Sequence, residues 1–130
     1  MSRIALLFFL AALTALAAEG LAGAYKGTWS GSSGASGDFS LTLKSGNDGK
    51  WDANVGFSLN GEDVKTKVTS IQVDGAKVKI VYEFDLQDTR LESTITGELK
   101  GNALAGTYAT KAVADGSAVD TGDWKTTSTQ

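Results

Sequence analysis

The chain has 130 residues, 42% of them apolar, a net charge of −3, and no Cys, His or Pro. Without Cys there are no disulfides and no thiolate chemistry, and without His the usual neutral-pH general base and the commonest zinc ligand are missing. The acidic balance argues against nucleic acid and anionic membrane surfaces as partners, since both demand a basic face.

Residues 1–18 read as an export signal peptide, expected to be helical and removed. Arg3 supplies the positive n-region, the stretch from Ile4 to Ala12 is almost wholly apolar, and Ala15-Leu16-Ala17 forms an A-x-A cleavage site. A second small-residue site, Ala22-Gly23-Ala24, lies further along. The apolar run, about fifteen residues, falls short of the ~20 that span a bilayer, so no membrane anchor is expected after cleavage. A periplasmic or extracellular location follows. Loss of Arg3 leaves the remainder more acidic. Residues 19–130 are then ~110 residues, the size of one domain.

The first strand is expected over residues 25–32, with Tyr25, Gly27 and Trp29 on one face. After a Ser/Gly loop, the second, 38–44, aligns Phe39, Leu41 and Leu43. The third, 50–59, alternates without a break: Trp51, Ala53, Val55, Phe57 and Leu59 face one way, Asp52, Asn54 and Ser58 the other. Phe57 is therefore read as inward and Ser58 as outward. The fourth, 63–73, changes parity between Val68 and Ile71, which predicts a β-bulge near Thr69-Ser70.

The fifth strand, 77–86, aligns Val78, Ile80, Tyr82, Phe84 and Leu86, and the sixth, 90–100, aligns Leu91, Ser93, Ile95, Gly97 and Leu99. The seventh, 103–110, puts Leu104, Gly106 and Tyr108 inward. A loose segment from Lys111 to Asp120 precedes the eighth, 122–128, where Trp124 is the one large apolar residue. Turn signals punctuate the run: Asn47-Asp48-Gly49, Asn60-Gly61, Asp74-Gly75, Gln87-Asp88 and Gly101-Asn102. Such dipeptides between alternating segments mark β-hairpins. Each strand has one apolar face that a flat sheet would leave wet. The expected fold is all-β, an antiparallel up-and-down meander of about eight strands closed into a small barrel; a two-layer β-sandwich of the same strands is the alternative.

Gly27-Thr28-Trp29 on a first strand, with such a meander behind it, resembles the calycin group: lipocalins, avidins and fatty-acid-binding proteins. A closer likeness is to short exported bacterial proteins, carried by Gly27-Thr28-Trp29-Ser30-Gly31, Asp74-Gly75 and Gly101-Asn102-Ala103-Leu104-Ala105-Gly106-Thr107-Tyr108. The resemblance implies a barrel with Trp29 plugging one end. It carries over no ligand residue, because the later lipocalin motifs, the helical lid of fatty-acid-binding proteins and an avidin-type aromatic cage are all missing from this sequence.

No catalytic, metal or cofactor motif stands out. Glu83, Asp85 and Glu92 lie on polar strand faces, where a hydrolase would need paired carboxylates across a cleft. Asp115, Asp120 and Asp123 share a Gly-containing segment, but their spacing does not match a calcium loop. The inward aromatics are the remaining candidates: Trp29, Trp51, Phe57, Tyr82, Tyr108 and Trp124. Ring-lined cavities hold small apolar ligands, whereas the same rings also fill the core of a small barrel, and ~110 residues leave little side-chain volume to spare. Two non-catalytic readings therefore stay open. One is a binder of a small apolar or amphipathic molecule. The other is a solid-core structural or protein-interaction module of a bacterial envelope, with a protein partner that the sequence does not name.

Overall fold

The computed structural model describes residues 20–129. The expected signal peptide lies outside the described residues. Within them the chain forms one antiparallel sheet of nine strands: β1 (Gly23–Gly31), β2 (Ser36–Ser45), β3 (Trp51–Leu59), β4 (Glu62–Val64), β5 (Lys67–Asp74), β6 (Lys77–Leu86), β7 (Thr89–Lys100), β8 (Ala103–Ala112) and β9 (Ala118–Ser128). The all-β meander is what alternation and turn chemistry predict. Asn60 and Gly61 (φ 55° and 80°), Gly75 and Gly101 all take left-handed backbone at the turns where the sequence signals them.

The order across the sheet is β4-β3-β2-β1-β9-β8-β7-β6-β5. First and last strands are therefore neighbours, paired from Tyr25↔Ser128 to Gly31↔Gly122, with Trp29 opposite Trp124. This pairing curls the sheet around one core. It also moves the break in the barrel to the middle of the chain, between β4 and β5. The strand expected over 63–73 is in fact two strands. β4 pairs with β3, β5 pairs with β6, and Lys65-Thr66 make the bend between them. β4 is too short to build a ladder with β5, so the sheet stays open along a seam. Thr66 bridges back to β3 by donating its hydroxyl to the Val55 carbonyl. The β5–β6 register shifts between Val68 and Ser70, where the change of parity predicted a bulge.

One core fills the curl. Leu21, Leu41, Leu43, Ile80, Ile95 and Leu104 are buried to within about 1% of complete exclusion from solvent. Leu21, Leu43 and Leu104 lie toward the end holding the β2–β3, β5–β6 and β7–β8 turns, with Tyr25 and Trp51, and the other core rings crowd the opposite half.

Two local expectations are corrected. β9 starts at Ala118, and β8 runs to Ala112, so the loose segment is shorter than its composition suggests. The added ladder pairs Thr110 with Asp120 and Tyr108 with Gly122. Ser58, read as outward, is buried. The β2–β3 ladder ends at Phe39↔Phe57, and beyond it the Ser58 hydroxyl serves as acceptor for the Asp38 N–H at 2.9 Å. Ser58 lines an outer hollow with Asp38 and Ser40, so it is covered there at a point where alternation alone would leave it exposed.

Candidate functional site

Strands of alternating parity aim their inner residues at a common axis, and near the β1–β2, β6–β7 and β8–β9 connections those inner residues are rings. Trp29, Phe57, Tyr82, Tyr108 and Trp124 come from β1, β3, β6, β8 and β9, and with Phe39 and Phe84 they surround a cavity of about 310 Å³. Ser33 and Ala35 of the β1–β2 loop, with Val119 and Asp120 of β9, stand at its mouth. This volume lies near the lower bound for small-molecule sites, ~300 Å³.

The rings hold each other in place. Trp29 meets Phe57 and Tyr108 edge-on, each at 6.0 Å between centroids and at 89° and 85° between planes. Phe57 packs in turn on Phe84 at 5.0 Å, and Phe39 tilts against Trp124 at 5.2 Å. Such edge-to-face pairs are worth ~0.5–1.5 kcal/mol each beyond burial. Both indole N–H groups are satisfied by backbone: Trp29 Nε1 donates to the Ser58 carbonyl at 3.0 Å, and Trp124 Nε1 to the Thr107 carbonyl at 3.1 Å. The tryptophans are thus fixed in orientation rather than free to collapse into the space.

Trp124 needs room two strands away, across Gly106 of β8, on β7. An ideal Cβ on Gly97 would stand 2.5 Å from Trp124 Cζ2, so only glycine at that position admits the indole. Gly31 plays the same part at the mouth, where a Cβ would lie 2.2 Å from Asp120 Oδ2 and 2.5 Å from the Tyr108 hydroxyl.

Polar groups occupy a few defined places on the wall. Ser93 and Thr110 hydrogen-bond each other in the interior. At the mouth, the Tyr108 hydroxyl donates to Asp120 Oδ2 at 2.8 Å, while Asp120 Oδ1 accepts the Ser33 N–H at 3.2 Å and the Ser32 hydroxyl at 3.4 Å. Burial pushes the Asp120 carboxyl up, but the hydrogen bonds from Tyr108 and Ser33 outweigh it and leave the carboxyl below its ordinary value. Asp120 is therefore ionised at neutral pH. Burial, reinforced by the neighbouring Asp120 charge, pushes the Tyr108 phenol well above its ordinary range. Burial raises Tyr82 to about 12, with the Ser93 hydroxyl offsetting part of the effect.

Of the six aromatics read from the sequence as candidate ligand contacts, the structure brings five to this cavity. Trp51 is the exception. It opens β3 opposite Ser45 and packs half-buried against the other half of the core. Six residues of strand separate it from Phe57, about 20 Å at ~3.3 Å per residue. Alternation reports the face of a strand but not the level along the barrel axis, and Trp51 shares the face without sharing the level.

Sequence reasoning counts Asp120 in the acidic trio, places it in a loop, and so misses its position on the cavity wall. Its signal was present. Counting back by twos from the inward Trp124 reaches Gly122 and then Asp120. The acidic trio does not gather. Asp115 turns onto Ser117, accepting its N–H at 3.0 Å and its hydroxyl at 2.8 Å, and Asp123 is exposed on β9. Asp85 and Glu83 face outward and engage Arg90, at 2.6 and 3.5 Å, and Glu92 engages Lys111 at 3.5 Å.

A second hollow, on the outer face, is lined by Lys26, Asp38, Ser40, Ser58, Asp63 and their neighbours and has a volume of about 410 Å³. It is larger than the inner cavity but more polar, and Phe39 and Phe57 are the two rings in its lining against seven in the inner cavity, so the inner cavity is the better-built site. Compared with known proteins, the chain matches no protein-family model, no curated protein and no solved structure.

Proposed function

We propose that this chain is an exported, non-catalytic β-barrel that binds one small apolar or amphipathic molecule in its aromatic cavity. The observation that carries the proposal is the convergence of five rings from five different strands on a space of about 310 Å³. A core built only for stability would have filled that space, since interiors are packed as densely as organic crystals. The fixed indoles and the few polar groups match the usual make-up of small-molecule sites, apolar walls with a small number of placed hydrogen-bonding atoms. The calycin resemblance of Gly27-Thr28-Trp29 bears on the barrel alone and carries over no ligand residue.

Tryptophan fluorescence tests it. Titration with fatty acids, retinoids, quinones and aromatic amines is expected to shift emission for at least one class. Trp29→Phe should diminish the shift and Trp51→Phe should leave it intact. A wild-type protein silent to every class would remove the binding reading and put the solid interaction module in its place.

A further inference from the structure

The charge at the cavity mouth has one sign. Of the described residues that line the cavity, Asp120 carries a charge at neutral pH, and neither Lys nor Arg is among them. The nearest cations in sequence to the mouth turns are held on the outer face: Arg90 by Asp85 and Glu83, Lys111 by Glu92. A carboxylate-headed ligand such as a fatty-acid anion would therefore meet a negative charge with no cation to receive it.

A cation meets the opposite conditions. Asp120 has each oxygen anchored, Oδ2 by the Tyr108 hydroxyl and Oδ1 by Ser33 N–H and the Ser32 hydroxyl, so the carboxylate is fixed in direction. The Thr121 backbone is a further donor to it, so what the carboxylate offers a cation is its fixed negative charge. Tyr108 touches this carboxylate through its hydroxyl, and Trp29, which lines the same cavity, stands perpendicular to Tyr108 at 6.0 Å between centroids. Ring faces attract ammonium groups within ~6 Å, most strongly where water is excluded. Carboxylate and rings together form the chemistry of an ammonium site.

Resting on the binding function proposed above, we propose that the ligand of this cavity is a small cationic amphiphile, an amine whose ammonium head sits between Asp120, Trp29 and Tyr108 and whose apolar tail lies among Phe57, Phe84 and Trp124. A volume of about 310 Å³ holds on the order of ten non-hydrogen atoms at the ~30 Å³ that a water occupies in the liquid. An arylalkyl amine has this size and shape.

The test is a matched series, 4-phenylbutylamine, 4-phenylbutanol and 4-phenylbutyrate, titrated calorimetrically into the full-length mature protein at pH 7 and low salt. The amine is expected to bind about tenfold more tightly than the alcohol, and the carboxylate more weakly than either, a factor typical of one charge-assisted contact. Asp120→Asn, which keeps the shape and the Tyr108 hydrogen bond, should bring amine and alcohol to equal affinity. Should that variant unfold, the wild-type protein still decides. Added salt should weaken the amine and leave the alcohol unchanged, because an exposed charge pair is screened over a Debye length of ~10 Å at 0.1 M. Equal binding of all three, or tighter binding of the carboxylate, overturns the cationic ligand and leaves the binding function standing. Binding of none of the three, with no change in Trp29 emission across the wider ligand panel, overturns both.

Discussion

A single atom decides whether Trp124 can sit where it does. The Cβ absent from Gly97 would overlap the indole at 2.5 Å. Gly97→Ala should therefore push Trp124 out of its place and cost about 1–3 kcal/mol, the range for overpacking a well-filled core. Urea denaturation will measure it, and a midpoint equal to that of the unchanged protein would show that the indole moves without penalty. Tyr82 offers a test through pH. Its phenol is raised from 10.0 to about 12, so both folded and unfolded chains hold the proton below pH 10. Between pH 10 and 12 the unfolded chain releases it and the folded chain does not. Stability from Tyr82 is then complete below pH 10 and is lost as pH rises through the folded value, by roughly 3 kcal/mol at 1.36 kcal/mol per unit. Denaturant midpoints between pH 9 and pH 12 should fall less steeply in Tyr82→Phe. Parallel curves for the two proteins would mean that the phenol ionises without unfolding.

The hairpins owe their register to turn chemistry, and one of them is poorly provided. Gln87 and Asp88 both adopt left-handed backbone, φ 50° and 66°, with no glycine between β6 and β7. The neighbouring hairpins place Gly61, Gly75 or Gly101 at such positions. An L-residue in that conformation costs ~1–2 kcal/mol, less for Asp, whose short side chain tolerates it. Asp88→Gly should raise thermal stability, by about 0.5–1 kcal/mol, if relief of strain exceeds the added freedom of the unfolded chain. A lowered melting temperature would show that the Asp side chain contributes more to the turn than its backbone loses. The β6–β7 ladder holds ten pairs, from Lys77↔Glu98 to Leu86↔Thr89, as many as the β7–β8 ladder beside it in the cavity wall. Tightening its turn should therefore leave the position of Tyr82 and Ser93 unchanged.

Across the whole molecule, the core extends to the first described residues. Leu21 is fully buried, and Tyr25 donates its hydroxyl to the Leu21 carbonyl at 2.7 Å. Of the two small-residue sites in the sequence, processing after Ala24 would remove this plug, while processing after Ala17 would keep it. A chain beginning at Ala18 should therefore be more stable than one beginning at Tyr25, by the ~2–5 kcal/mol associated with losing a buried leucine. N-terminal sequencing of exported protein should find a start before Leu21. Equal urea midpoints for the two chains would make the plug dispensable and return Ala22-Gly23-Ala24 as a cleavage site.

Local chemistry determined the strands. Period-two alternation and Asn-Gly or Asp-Gly turns act over a few residues, so the β3, β6 and β7 strands, the Thr69-Ser70 bulge and the inward faces of Trp29, Phe57, Tyr82, Tyr108 and Trp124 could all be read from the sequence. What depends on contacts between distant residues could not. The β1–β9 pairing, the seam between β4 and β5, and the burial of Ser58 each rest on which strand end meets which. Height along the barrel separates Trp51 from the other rings, and parity carries no record of height. Asp120 joins Tyr108 and Ser33 only when β9 lies between β1 and β8, because that pairing brings residues 12 and 87 positions apart within hydrogen-bond reach.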